Sequence, residues 1–162
     1  MKINDSTYST IEQFAQVARQ YCAWADGNLG ETQEEVRRAG RLLAELHLAA
    51  LRLPDLGPGE DRGAVRIPQD EWLLMYQKFG KLPLASYWDV FNPLEAEGPI
   101  LNDLADDLAD IYRDVKSGLS LFESQHLIEA AWDWRLNFQI HWGRHLVGAQ
   151  RAIHEYLSKE GL

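Results

Sequence analysis

The sequence predicts an all-α protein: a single-domain, up-and-down-like bundle of four to six helices over residues 1–162. Three observations predict it. Apolar residues recur at three-and-four spacing through most of the chain, the mark of helices with one buried face. Three Ser/Thr-x-x-Glu capping boxes stand before such runs: Ser9 with Glu12, Thr32 with Glu35, and Ser120 with Glu123. No segment shows the strict alternation of a half-buried strand.

The first helix is expected over residues 10–25, with Tyr8, Ile11, Phe14, Ala18, Tyr21, Cys22 and Ala25 on its apolar face and Asp26-Gly27 as its stop. The second is expected over 31–53, on a stripe of Val36, Ala39, Leu43, Leu46, Ala50 and Leu53, and Pro54 ends it. Residues 54–68 carry Gly57, Pro58, Gly59 and Gly63 among polar side chains and read as an exposed connection. A shorter helix over 69–79 places Trp72, Leu73, Tyr76 and Phe79 on one side. Residues 81–98, with Pro83, Pro93 and the aromatics Tyr87, Trp88 and Phe91, read as irregular or briefly helical. A fourth helix is expected over 100–116, with Gly118 as its C′ residue, and a last one from Ser120 to about residue 158.

Composition excludes several classes. A chain of 162 residues with 46% hydrophobic and 25% charged side chains has the balance of an ordinary globular domain. Its formal charge of −9 repels phosphate backbones and anionic lipid, so neither nucleic acid nor a membrane surface is expected as a partner. The single cysteine, Cys22, permits no internal disulfide. The start, Met1-Lys2-Ile3-Asn4-Asp5, has neither the basic nor the apolar part of a signal peptide. A cytoplasmic location is the expectation.

The segment 106–114, then Trp132-Asp133-Trp134, then His141-Trp142-Gly143-Arg144-His145-Leu146, resembles a family of small bacterial helical proteins known as a domain of unknown function. The resemblance covers most of the chain and is densest over residues 101–154. It implies an all-helical fold, a bacterial source and a stand-alone chain, and it brings no activity, cofactor or catalytic residue.

The chemistry is therefore read from the residues. On the fourth helix, Leu104, Leu108, Ile111 and Val115 centre the apolar face, and Asp103, Asp107, Asp110 and Asp114 stack in one column along its border. Like charges at i, i+4 cost a few tenths of a kcal/mol per pair, so something should offset the column. Arg37, Arg41 and Arg52 lie on the polar back of the second helix, and the antiparallel neighbour places Glu123, Ala130 and Asn137 beside the acids. The compensating charge is then water and counter-ions, an arginine from elsewhere in the fold, a metal or a basic partner.

The last helix holds the other candidates. His145 falls in the middle of its apolar face and reads as a core histidine with a hydrogen-bond partner; His141 lies one turn earlier, at the border. Histidines at i, i+4 can share one metal, but the zinc-protease pattern needs Glu after the first, and Trp142 stands there. Gly143 and Gly148 suggest a close helix crossing or the floor of a pocket. Arg135 and Arg144 are read as partners of buried carboxylates such as Asp89, Asp103 or Asp133. Tryptophans at helical spacing read as core, whereas Trp88 and Phe91, if exposed, mark a contact surface.

A likeness to the all-α nucleotide pyrophosphohydrolases is also visible. These hold magnesium with Glu-x-x-Glu and Glu-x-x-Asp pairs, and this chain has Glu31 with Glu34 and Asp107 with Asp110. The second pair lacks its glutamate, and the first sits where helix starts favour acids anyway. The expectation is a non-catalytic binding or adaptor protein, without cofactor, using Asp103, Asp107, Asp110, Asp114, His141, His145, Arg135, Arg144 and Trp142 to hold a basic protein or a small ligand. The alternative is a metal-dependent hydrolase on Asp107, Asp110, Glu31 and Glu34. The sequence sets no oligomeric state.

Overall fold

The computed structural model describes residues 3–59 and 64–159. Helix α1, Asp5–Asp26, begins earlier than the Ser9 box implied, because the Asn4 side chain caps it by accepting from the Thr7 amide at 2.8 Å. Helix α2, Gln33–Leu51, is capped by Thr32 as expected. The Glu35 carboxylate does not close that box; it accepts the indole N–H of Trp24 at 2.8 Å and so ties α2 to α1. Helix α3, Gln69–Phe79, has the expected bounds.

Residues 81–98 contain a strand the sequence reading missed. Strand β1, Ser86–Asp89, pairs antiparallel with β2, Ile100–Asp103, in the register Ser86 to Asp103 through Asp89 to Ile100. Tyr87 and Asp89 turn inward while Ser86 and Trp88 face solvent. Four residues are too few for that alternation to stand out in a sequence.

Helix α4, Leu104–Glu123, starts where β2 ends, so residues 100–103 are strand and not the first helical turn. It also runs straight through Gly118. A Cβ on Gly118 would lie 2.3 Å from the Trp134 indole nitrogen, so this glycine is a helix-crossing point and not a C′ residue. The Ser120 box is likewise inside α4. The chain turns at Gln125, with φ 66°, and enters α5, Leu127–Asn137.

The last helix is not one uniform rod. Between α5 and α6, Gly143–Lys159, lies a π-helical turn, Phe138–Trp142, in which the Gly143 N–H reaches the Phe138 carbonyl five residues back. A Cβ at Gly143 would sit 2.2 Å from that oxygen, so Gly143 serves the π-turn and not a crossing. The extra residue realigns Trp142 with Trp134, eight positions earlier, where a straight helix would leave them ~80° apart. Both are fully buried: Phe14 packs against each, and the Trp142 indole donates to the Trp134 carbonyl. Trp142 is therefore core and does not belong to the binding edge.

Helix α4 is the central element, packed by α1, α3, α5 and α6, while α2 bridges α1 and α6. Two polar ties pin it: the Tyr21 hydroxyl donates to the Leu108 carbonyl at 2.8 Å, and the Trp134 indole donates to the Val115 carbonyl at 3.0 Å. The apolar side chains between them, Leu108, Ile111 and Val115, are fully buried. Burial of each is worth roughly 1.5–3 kcal/mol against exposure. Among the described residues, no helix is long and apolar enough to cross a membrane.

Candidate functional site

Because α3 and α6 flank α4, the aspartate column faces inward. Asp107, Asp110 and Asp114 are 4%, 8% and 5% exposed. Asp103 stands just outside the helix as its N-cap, accepting from the Ala105 amide at 2.8 Å and from the Tyr76 hydroxyl at 2.8 Å.

The π-turn and the start of α6 place His141 and His145 against these acids. Nδ1 of His141 is 2.6 Å from Asp114 Oδ2, and Nδ1 of His145 is 2.8 Å from Asp107 Oδ1. An ionised carboxylate can only accept, so both Nδ1 atoms carry hydrogen. Each ring then turns Nε2 towards one oxygen, Asp110 Oδ2, at 3.6 Å from His141 and 3.5 Å from His145. The other Asp110 oxygen accepts from the Trp72 indole at 2.8 Å and from the Arg113 guanidinium at 2.6 Å. The second Asp107 oxygen accepts from the Tyr87 hydroxyl at 2.6 Å. Gly148 permits this approach, since a Cβ there would meet the Tyr87 hydroxyl at 2.6 Å; it floors the site against a strand and is not a helix crossing.

Arg66, from the 54–68 connection, closes the far end. It reaches Asp114 at 3.3 Å and Asp133 at 2.8 Å. Of the compensations expected for the column, part comes from this same chain: Arg66, from elsewhere in the fold, and Arg113, on α4 itself, supply guanidinium groups. Among the described residues, these two guanidinium groups stand against four buried aspartates. Asp110, Asp114 and Asp133 meet the arginines, whereas Asp107 takes His145 and the Tyr87 hydroxyl instead.

Burial opposes ionisation here. It pushes the Asp107 carboxyl above the usual range, against the hydrogen bonds from His145 and Tyr87. It raises Asp106 too, with the Asp110 charge adding to it. Asp133 is raised by burial and by Asp114, against the pull of Arg66, and its buried Oδ2 has no hydrogen-bond partner among the described residues. Burial alone would discharge His145; the Asp107 hydrogen bond and the fields of Asp107, Asp110 and Asp106 outweigh it, so its pKa stands above the ordinary value. Beside His145 opens a cavity of about 220 Å³, walled by Tyr87, Phe91, Asn102, Asp103, Asp106 and Arg144 among others.

Of the residues singled out in the sequence, Asp107, Asp110, Asp114, His141 and His145 come together. Arg144 lies at the cavity with its guanidinium 4.3 Å over the Phe91 ring, while Asp89 takes Arg151 and Asp133 takes Arg66. Arg135 sits away from the column, bonded to the Leu53 carbonyl and to Asp55. Glu34 faces solvent with Arg37 and Arg41 on its oxygens, and Glu31 is exposed, so this pair does not join Asp107 and Asp110. Arg66, Arg113, Trp72, Tyr76 and Tyr87 were not foreseen as site residues. Arg113 was legible, since it follows Asp110 by three positions on one helix face.

The fold and this seam define a helical bundle with a carboxylate–histidine centre between its central and last helices. The chain belongs to the family described as a domain of unknown function, DUF5063, whose model matches residues 5–159. It is also similar to the crystal structure of protein BF1032 from Bacteroides fragilis, at 21% identity and a TM-score of 0.77 over 91% of each chain, a likeness of fold. No curated protein matches the chain.

Proposed function

We propose that the protein is a cytoplasmic binding protein that receives a small cationic ligand at the α4–α6 seam. One observation carries this reading. Among the described residues, buried carboxylates outnumber the guanidinium groups that face them, and a buried excess of one sign is costly unless paired. A small cation fits better than a basic protein, because Asp107, Asp110 and Asp114 point inward and a protein surface would not reach their oxygens. The hydrolase alternative keeps Asp107 and Asp110 at this seam but not Glu31 and Glu34, which makes it the weaker reading.

The test is thermal melting after EDTA treatment, with Mg²⁺, Mn²⁺, Zn²⁺ or a small diamine added in turn. A saturable rise in Tm with at least one of these, abolished by Asp110→Asn, is the expected result. Melting curves unmoved by all of them would end the proposal.

A further inference from the structure

We infer that the cation is a divalent first-row transition metal, held by Nε2 of His141, Nε2 of His145 and Oδ2 of Asp110. The inference deepens the cation-binding reading and rests on it.

Orientation is the first argument. A metal-ligating histidine nearly always donates its other ring N–H to a carboxylate or carbonyl, which fixes the tautomer and aims the lone pair. Here both histidines do so, to different buried acids, Asp114 and Asp107. Two Nε2 lone pairs thus converge on one carboxylate oxygen. Asp110 is itself oriented, because Trp72 and Arg113 hold its Oδ1 and leave Oδ2 towards the imidazoles.

Spacing is the second. The separations of 3.5 and 3.6 Å exceed the ~2.7–3.2 Å of an N–H···O bond, so protonating Nε2 would not bridge them well. They lie close to the ~3.3 Å edge of a tetrahedron with bonds of ~2.0–2.1 Å. Asp110, His141 and His145 each bring a ligand atom to within 4.8 Å of the others. A second grouping, Asp106, Asp107 and His145, meets the same spacing. It is the poorer site, since the Asp107 oxygens are already taken by His145 Nδ1 and the Tyr87 hydroxyl.

The ligand chemistry sets the class. Two imidazoles and one carboxylate suit zinc, cobalt, nickel or iron better than magnesium or calcium, which prefer oxygen. Three protein ligands leave at least one position for water or a further ligand.

Equilibrium dialysis of EDTA-treated protein against Zn²⁺, Co²⁺, Ni²⁺ and Mg²⁺, near neutral pH, tests it. The expected result is one equivalent of a transition metal per chain, and far weaker Mg²⁺. His141→Gln, His145→Gln and Asp110→Asn should each weaken Zn²⁺ binding by ~100-fold or more, and Asp114→Asn by ~10–100-fold. Circular dichroism of the metal-free variants checks that they fold. The visible spectrum of the Co²⁺-loaded wild type reports imidazole ligation without any variant. Zn²⁺ binding that survives both histidine substitutions, or a Co²⁺ spectrum equal to that of the aqueous ion, overturns the metal assignment. If no metal binds but a diamine raises Tm, the metal fails and the cation reading stands; if neither acts, both fall.

Discussion

His145 is held between Asp107 Oδ1, at 2.8 Å from its Nδ1, and Asp110 Oδ2, at 3.5 Å from its Nε2. Its pKa is raised in the folded state, so its contribution to stability is present below the unfolded value of ~6.5 and is lost as pH rises through the folded value. Asp107, whose folded pKa is also raised, acts in the same sense. The groups facing the ring are Asp106, Asp107 and Asp110 on α4, Tyr87 on β1, and His141 and Arg144 beside it. Metal-free protein should therefore lose urea stability from pH 6 to pH 8 through this cluster. The loss should shrink in His145→Gln; an equal loss in that variant would remove His145 as the source. Zinc-induced stabilisation should show the opposite trend and grow with pH, because Nε2 must be deprotonated to bind.

Much of this residue pattern was legible. The i, i+4, i+7, i+11 stacking of the aspartates and the i, i+4 spacing of the histidines both follow from one helix period. What periodicity cannot show is which second helix a column meets. The neighbour in sequence, α5, offered no cation, and the facing groups came instead from α6, from α3 and from Arg66 in a connection with no periodic pattern. Trp142 was misassigned for a related reason: a straight helix sends it to a different face from Trp134.

At the scale of elements, glycines fix two decisive packings. Gly118 lets α5 close on α4, and Gly143 accommodates the Phe138 carbonyl in the π-turn. Gly118→Ala would drive a methyl into the Trp134 ring and break the indole bond to Val115. Overpacking of this kind costs typically ~1–3 kcal/mol, or several degrees of Tm in a chain of this size. An unchanged Tm would mean that the two helices stand further apart than described. Gly143→Ala should straighten the π-turn, which makes it a test of function as well as fold. It should weaken metal binding more than it lowers Tm, because His141 lies inside that turn. The hairpin went unread in the sequence because two four-residue strands carry too little alternation, yet it delivers Tyr87 to Asp107. By contrast, α3 was placed correctly from end to end: Pro68 precedes it, and Trp72 and Tyr76 mark the face it turns to α4.

At the scale of the molecule, the seam joins parts of the chain that are far apart in sequence. Arg66, from the connection after α2, holds Asp114 on α4 and Asp133 on α5 together. Its side chain is 46% exposed, so solvent screens part of the interaction. Arg66→Ala should cost about 1–2 kcal/mol, because it strips the guanidinium from two buried carboxylates. Added zinc should recover part of that loss in a chemical denaturation curve if the seam is the receiver of charge described above. No recovery at saturating zinc would place any bound metal elsewhere.

The most direct measurement is anomalous diffraction at the zinc edge from a crystal of the metal-free protein soaked in dilute Zn²⁺. The result expected is a single strong peak between the Nε2 atoms of His141 and His145 and Oδ2 of Asp110, at ~2.0–2.2 Å from each. His141 and His145 would keep their Nδ1 bonds to Asp114 and Asp107. A peak confined to surface acids, or none at the seam while the imidazoles hold these same positions, would contradict it.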